Sequence, residues 1–283
     1  MRREHIVIEN NEKNIYYYNP RVNIQYHKRS YVQFKNILLS YLPKIRKLHI
    51  PAFPKTNAEL CTVFIDSRID DIHECIIRLN LHKLGETISH YVVCTKTNYD
   101  FMKTMCASIS ENIQVILLDR EIKNVSDYTK LLKEESFWDL FQSSKKCLLY
   151  QTDTFIFNEH ELSKYVQYDY IGAPWRHKPN GVSVGNGGLS IRSIPLMREI
   201  CRIHKENEII KDNNLPEDVF FALYMQKKKA KIPTVKEACA FSIEHLYAKH
   251  SCIYFGGHQF YFILPDWEEV IRRNIEQYTS CIE

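Results

Sequence analysis

The sequence predicts an α/β protein: a mostly parallel central sheet with helices on both faces. Short runs of β-forming residues alternate with stretches of helical apolar spacing from Cys61 to Phe157, the rhythm of strands joined by crossover helices. The 283 residues are 45% hydrophobic and 25% charged, enough to bury a sizeable core. No internal repeat or low-complexity tract interrupts the pattern.

Residues 1–57 read as an N-terminal extension, partly helical. They are polar and aromatic, with a helix expected from about Tyr31 to Lys47, and "HIPAFPKTN" with its two prolines reads as a linker. Such a segment is expected to be poorly ordered or to pack on the main body. The opening "MRREHIVIENNEKNIYYYNP" lacks the apolar stretch of a signal peptide, and no run of 18 apolar residues predicts a membrane span.

The main body, residues 58–283, begins with the strand "CTVFID". "DDIHECIIRLNLHKLG" places Ile72, Ile76, Ile77, Leu79 and Leu84 at helical spacing and stops at Gly85. "ISHYVVCT" is a strand, "NYDFMKTMCASIS" a helix and "IQVILLD" a strand. "SDYTKLLKEESFWDLFQSSKK" is expected to be one helix capped by Ser126 or Asp127, with Trp138 in the core. "CLLYQTDTFIF" reads as the fourth strand. Beyond Phe157, "YDYIGAPWRHKPNGVSVGNGGLSIRS" is loop-rich with short strands, "IPLMREICRIHKEN" and "PEDVFFALYMQKKKA" are helices, and "PDWEEVIRRNIEQY" is a last helix.

The net charge of +4 suits an anionic ligand and is too small to argue for nucleic acid. The nine cysteines are odd in number, form no CxxC pair and lie partly in apolar runs. They read as reduced, buried thiols of a cytoplasmic protein, and the spacing of a structural zinc site is missing.

Ligands of open α/β sheets bind outside the carboxyl ends of the strands. Asp66 and Asp119 end the first and third strands, where a turn or capping role is the plain reading. Asp153 is different: apolar residues resume at once with "TFIF", so its carboxylate needs a partner to offset burial. "VGNGGLS" packs three glycines around Asn186, which fits a hairpin turn or a close backbone approach. Glu217 and Asp218 open a helix, where acids favour the dipole. Tyr170 and Trp175 stand in a rigid aromatic segment whose default role is packing.

The stretch "YTKLLKEESFWDLFQSSKKCLLYQTDTFIF" resembles the approach to the acidic motif of GT-A type glycosyltransferases, which have a Rossmann-like nucleotide-diphospho-sugar transferase fold. More closely, "LLYQTDTFIF", "YDYIGAPW", "VGNGGLSIRS" and "EDVFF" occur in the order and spacing of a glycosyltransferase-like family of unknown function, over roughly residues 60–265. The resemblance implies transfer of a sugar from a nucleotide-sugar donor, UDP-linked, to a hydroxyl acceptor on a glycan or glycoconjugate. Residues 58–157 would form the nucleotide-binding half and 158–283 the acceptor-binding half.

It implies Mn²⁺ or Mg²⁺ held by Asp153, with His258 of "FGGHQFYF" as a second ligand. Gln151 replaces the first acid of the motif, which weakens the case for metal. Donor contacts are expected from Asp66, Ser67, Arg68, Lys130, Gln151, Asp153, Asn186, Gly187 and Gly188, and acceptor contacts from Tyr170 and Trp175. Asp218, or Glu217 in its place, would take the acceptor proton, and the acidic pair points towards inversion. The alternative is a catalytically inactive sugar- or nucleotide-binding protein on the same fold, which Gln151 favours. No glycine-rich loop follows the first strand, which argues against a dinucleotide or adenosyl cofactor.

Overall fold

A computed structural model describes residues 3–9, 12–18, 20–175, 178–207, 210, 214–244, 254–264 and 266–280, with side chains from residue 28 onward. A hairpin of β1 (Arg3–Glu9) and β2 (Glu12–Tyr18) precedes the long helix α1 (Pro20–Ile45). The alternating unit follows: β3 (Leu60–Ile65), α2 (Ile72–Leu84), β4 (Ser89–Cys94), α3 (Tyr99–Ile109), β5 (Gln114–Leu117), α4 (Val125–Leu132), α5 (Glu135–Asp139) and β6 (Lys146–Tyr150). Next come β7 (Thr154–Ile156), α6 (Leu162–Tyr165), β8 (Tyr170–Pro174), β9 (Val184–Ser193), α7 (Ile194–Glu206), α8 (Glu217–Lys227), α9 (Val235–Phe241), β10 (Ser242–Ile243), β11 (Gly256–His258) and α10 (Trp267–Thr279).

The six-stranded sheet runs β5-β4-β3-β6-β9-β8. Its first four strands are parallel, and β9 lies antiparallel between β6 and β8. The expected α/β class with a mostly parallel central sheet is therefore present. Alternation along each strand divides the core: Leu60 and Phe64 of β3 face the layer of α1, α2, α3 and α10, while Cys61, Val63 and Ile65 face α4, α5, α7 and α8. Among the described residues, the seven cysteines from Cys61 to Cys239 are buried and form no disulfide. Among the described residues no helix is long and apolar enough to cross a membrane.

The N-terminal segment is part of the packing. Phe34, Ile37, Leu38 and Ile45 of α1 are buried in the first core layer. Tyr41 of α1 donates to Glu276 of α10 at 2.5 Å, and Lys35 pairs with Asp70 beside the loop after β3. Gly85 ends α2 at φ 79, in the left-handed region that favours glycine.

Three local expectations are corrected. The helix expected over Ser126–Lys146 is two: Asn124, not Ser126 or Asp127, caps α4 by accepting from the Asp127 amide, and α4 stops at Leu132, whose carbonyl accepts the Trp138 indole N–H at 2.7 Å. The strand expected over Cys147–Phe157 breaks after Tyr150. The amide and hydroxyl of Thr154 both bond the Gln151 carbonyl, closing a turn, and β7 leaves the large sheet to pair antiparallel with β11. The Asn186–Gly187 pair is no hairpin turn. It lies within β9, at an irregular register with β8, where a side chain on Gly172 would come within 2.0 Å of the Asn186 carbonyl. The reversal between those strands includes Asn180–Gly181, at φ 48 and 86.

Candidate active site

The chain winds outward from β3 to β4 and β5, then returns to the other side of β3 with β6. Strand order reverses there, and the carboxyl ends of β3 and β6 diverge into a crevice. A cavity of about 600 Å³ occupies it. Its walls are the Ile65–Arg68 loop, the Ile122–Thr129 region, Gln151 and Asp153, Asn186–Gly188, Pro216–Asp218, Glu244, and His258–Gln259.

Asp153 sits in the turn between β6 and β7, which explains a carboxylate amid apolar sequence. Its backbone carbonyl accepts from the Gln259 amide at 3.0 Å, and its Oδ2 accepts from Gln259 Nε2 at 2.9 Å. Pairing of β7 with β11 sets Thr154 opposite His258. His258 Nε2 then lies 3.3 Å from Asp153 Oδ1, and Nδ1 lies 3.2 Å from Glu244 Oε1. Both are within ion-pair reach, yet neither buried ring nitrogen makes a directed hydrogen bond. Burial pushes the Asp153 carboxyl up, but His258 and the Gln259 amide win and hold it at about 2.

Two ligand atoms in neighbouring positions around an ion at about 2.1 Å lie roughly 3.0 Å apart. The Asp153–His258 separation and the undirected Nε2 fit that arrangement. Among the described residues no three His, Cys, Asp or Glu side chains converge on one point. Diphosphate oxygens and water would complete the shell of such an ion.

On the opposite wall α8 begins with the acidic pair, and the two carboxylates have different fates. Glu217 forms a bidentate pair with Arg192 of β9, at 2.6 and 3.0 Å. Arg192 is fully buried, its guanidinium among the rings of Tyr170, Phe221 and Trp138 at 5.1–5.9 Å. Glu217 is thereby committed to structure and is not the free base the sequence allowed. Asp218 takes Val219 N on Oδ1 at 2.7 Å, while among the described residues Oδ2 has a single 3.3 Å contact, from Gly187 N. Burial, then the charge of Glu217, pushes the Asp218 carboxyl up to about 7.

The glycines of the 185–188 block make room for protein side chains. A Cβ on Gly187 would lie 2.4 Å from Glu217 Oε1, and one on Gly188 would lie 2.2 Å from His258 Nδ1. Asn186 links the walls: its Nδ2 donates to Glu244 Oε1 at 2.7 Å, and its Oδ1 accepts from Gly188 N at 3.1 Å.

After β3, the Asp66 carboxylate accepts from Arg68 Nε, Nη2 and backbone N and from Thr152 Oγ1, and His73 Nε2 lies 3.3 Å away. Burial opposes its ionisation, yet His73 and Arg68 hold it well below the usual carboxylate range. Its oxygens are used, so it orients Arg68, whose side chain keeps 57% of its exposure at the cavity. Ser67 Oγ ties this loop to the Ile122 carbonyl.

Three expected contacts are not in place. Lys130 is exposed on α4 and does not line the cavity. Tyr170 is buried, with its hydroxyl on the Gly185 carbonyl at 2.5 Å and its ring against Arg192. Trp175 is 8% exposed, packed in the second core layer. Both aromatics serve packing, leaving no open face for a sugar ring. Arg192, Glu244 and Gln259 escaped the sequence reading, although Arg192 in the apolar "LSIRS" was a visible signal.

The architecture defines an α/β protein with an acidic cavity at the switch point of its sheet. By sequence the chain belongs to the family described as "Protein of unknown function (DUF5672)", whose model matches residues 112–258, from just before β5 to the end of β11. No curated protein matches the sequence. Solved structures similar to the chain include 4-diphosphocytidyl-2C-methyl-D-erythritol synthase from Anaerococcus prevotii, at 10% identity and TM-score 0.44, covering 78% of this chain and 96% of that one. Mouse xyloside xylosyltransferase 1, apo form, is similar at 10% identity and TM-score 0.42, over 71% and 96%. A putative nucleotide-diphospho-sugar transferase from Desulfovibrio desulfuricans is similar at 9% identity and TM-score 0.40, over 62% and 78%. Likeness at this level carries no argument about chemistry.

Proposed function

We propose that this protein is a GT-A-like glycosyltransferase that moves a sugar from a nucleotide-sugar donor, UDP-linked, to a hydroxyl acceptor on a glycan or glycoconjugate with inversion. The observation that carries the reading is one switch-point cavity with two chemically distinct poles. Asp218 presents a carboxyl raised to about 7, and Asp153 with His258 presents an oxygen and a nitrogen spaced for a cation.

Asp153 Oδ1 and His258 Nε2 would hold Mn²⁺ or Mg²⁺. When bound, the ion neutralises charge developing on the departing diphosphate. Arg68, oriented by Asp66, adds a guanidinium at the same cavity for the phosphate oxygens. Gln151 offers the donor an amide where a second acid would stand.

Asp218 acts on the acceptor. Its Oδ2, with one long backbone contact among the described residues, takes the hydroxyl proton as the acceptor oxygen forms its bond to the anomeric carbon and the carbon–phosphate-oxygen bond breaks. A carboxyl near 7 is basic enough for this and is substantially ionised at neutral pH. The Arg192–Glu217 pair keeps the start of α8 against β9 and supplies the like charge that helps raise Asp218.

A panel of nucleotide sugars tested by thermal shift with and without Mn²⁺, followed by donor turnover, checks this. One donor should raise the melting temperature in a Mn²⁺-dependent way and be consumed. The alternative, an inactive binding protein, rests on Gln151 and predicts the same shift with no turnover under any acceptor. Absence of any shift across the panel overturns both.

A further inference from the structure

The side chain most deeply involved in the cavity yet without a role so far is Glu244, directly after β10. It is largely buried, with 11% of its side chain exposed. Its Oε1 accepts from Asn186 Nδ2 at 2.7 Å and stands 3.2 Å from His258 Nδ1, while Oε2 is buried without a hydrogen-bond partner. Burying a carboxylate is costly unless it is paired, hydrogen-bonded or bound to a metal.

A histidine offers an ion the lone pair of one nitrogen, and the other nitrogen must then carry the proton. That N–H needs an acceptor, and a carboxylate in this position fixes tautomer and ring orientation and makes the ligand more basic. Among the described residues, Glu244 is the acidic group within ion-pair reach of Nδ1, and Asp153 faces Nε2 on the far side of the ring. Gly188 closes one side of the imidazole, since any Cβ there would meet Nδ1, Cγ and Cε1 at 2.2–2.4 Å. The ring is thus set by a relay from Asn186 through Glu244 to His258.

We propose that Glu244 is a positioning residue for His258: it accepts the Nδ1 proton, turns the Nε2 lone pair towards Asp153, and so prepares the pair to receive a divalent cation before any nucleotide arrives. The proposal rests on the reading of Asp153 and His258 as a cation site. It assigns the 185–188 block a task distinct from touching donor or acceptor, because Asn186 holds Glu244 in line. Replacing the carboxylate by an amide leaves a single neutral oxygen for both Asn186 Nδ2 and His258 Nδ1 and removes the negative charge that makes the ligand nitrogen more basic.

The test is a double-mutant cycle on the full chain, with Mn²⁺ alone as probe and free Mn²⁺ read by electron paramagnetic resonance. Glu244→Gln should weaken Mn²⁺ by about 10–100-fold, the usual range for loss of such a partner. In the His258→Ala background the same substitution should change nothing, because the residue it acts through is gone. Losses that multiply across the two substitutions, or an unchanged affinity in Glu244→Gln, overturn the proposal. If Glu244→Gln fails to fold, Asn186→Ala replaces it: a smaller loss that vanishes with His258→Ala supports the relay, and a loss that persists overturns it. Wild-type protein that binds Mn²⁺ through Asp153, with equal affinity in His258→Ala, removes His258 from the site and the proposal with it. Wild-type protein that binds no Mn²⁺ overturns the underlying reading as well, which separates the two failures.

Discussion

Two groups of buried charge flank the cavity, and they are completed to different degrees. On one wall, Arg192 and Glu217 satisfy each other with two short hydrogen bonds inside an aromatic enclosure. On the other, His258 lies between Asp153 and Glu244 with neither ring nitrogen in a directed hydrogen bond, and Glu244 keeps one oxygen unpaired. The first group gains nothing from a ligand. The second is held by ion-pair contacts at 3.2–3.3 Å without directed hydrogen bonds, which leaves it free to rearrange around an added ion. Asp218 stands between the two regimes, adjacent to a finished pair but left outside it.

The largest effect expected of any substitution falls on that boundary. Asp218→Asn should lower transfer by roughly 10²–10⁴-fold, the usual range for a lost general base, while donor affinity measured by calorimetry stays near wild type. Normal turnover would remove Asp218 from the chemistry. Next in size is the closed pair. Arg192→Met strands Glu217 as a buried unpaired charge and should cost about 3–5 kcal/mol in urea unfolding, and adding Glu217→Leu should recover much of the loss. If the double variant is no better than the single, the two residues are not a self-contained unit.

The open group should respond to a smaller change. Gly188→Ala forces a methyl against the His258 ring and should cost about 1–3 kcal/mol of stability, with Mn²⁺ affinity lost alongside. Equal Mn²⁺ affinity in a folded variant would show that the ring position is not critical.

The smallest effects come from pH. Turnover limited by Asp218 as a base should rise through about pH 7 and level off above it. Stability has the opposite slope. The folded carboxyl is raised above its unfolded value, so between about pH 4 and 7 the native state binds the extra proton and this contribution to stability falls as pH rises. Asp218→Asn should flatten that slope and raise the melting temperature at pH 8. A lower melting temperature there would mean that its contacts from Gly187 and Val219 outweigh the buried charge.

The parallel half of the sheet was legible because each strand and helix from Cys61 to Tyr150 carries its own local pattern. Asp153 was legible because its carboxylate interrupts an apolar stretch, whereas Asp218 was singled out by the resemblance of "EDVFF" to the acidic pair of GT-A enzymes. Partnership was not legible. Glu217 and Asp218 are equivalent as neighbours in sequence, and only the arrival of Arg192 from 25 residues away separates a structural acid from a free one. Glu244 lies in a short apolar-flanked stretch, and nothing local shows that Asn186 and His258 meet it. For Tyr170 and Trp175 the default reading of packing holds and the acceptor contact implied by the resemblance does not, because Tyr170 is buried in β8 and Trp175 is packed in the second core layer. The break after Tyr150 was hidden because apolar residues on both sides of the turn mimic a continuous strand.

The clasp between α1 and α10 has a consequence for biosynthesis. Tyr41 meets Glu276 across 235 residues of chain. At translation rates of about 5–20 residues per second, α1 waits roughly 10–50 s for that partner to be made. Throughout that interval Phe34 and Leu38, which the finished molecule hides completely, lack part of their cover. The nascent polypeptide therefore reaches its final compactness late, and its first long helix is where a ribosome-associated chaperone has most to shield.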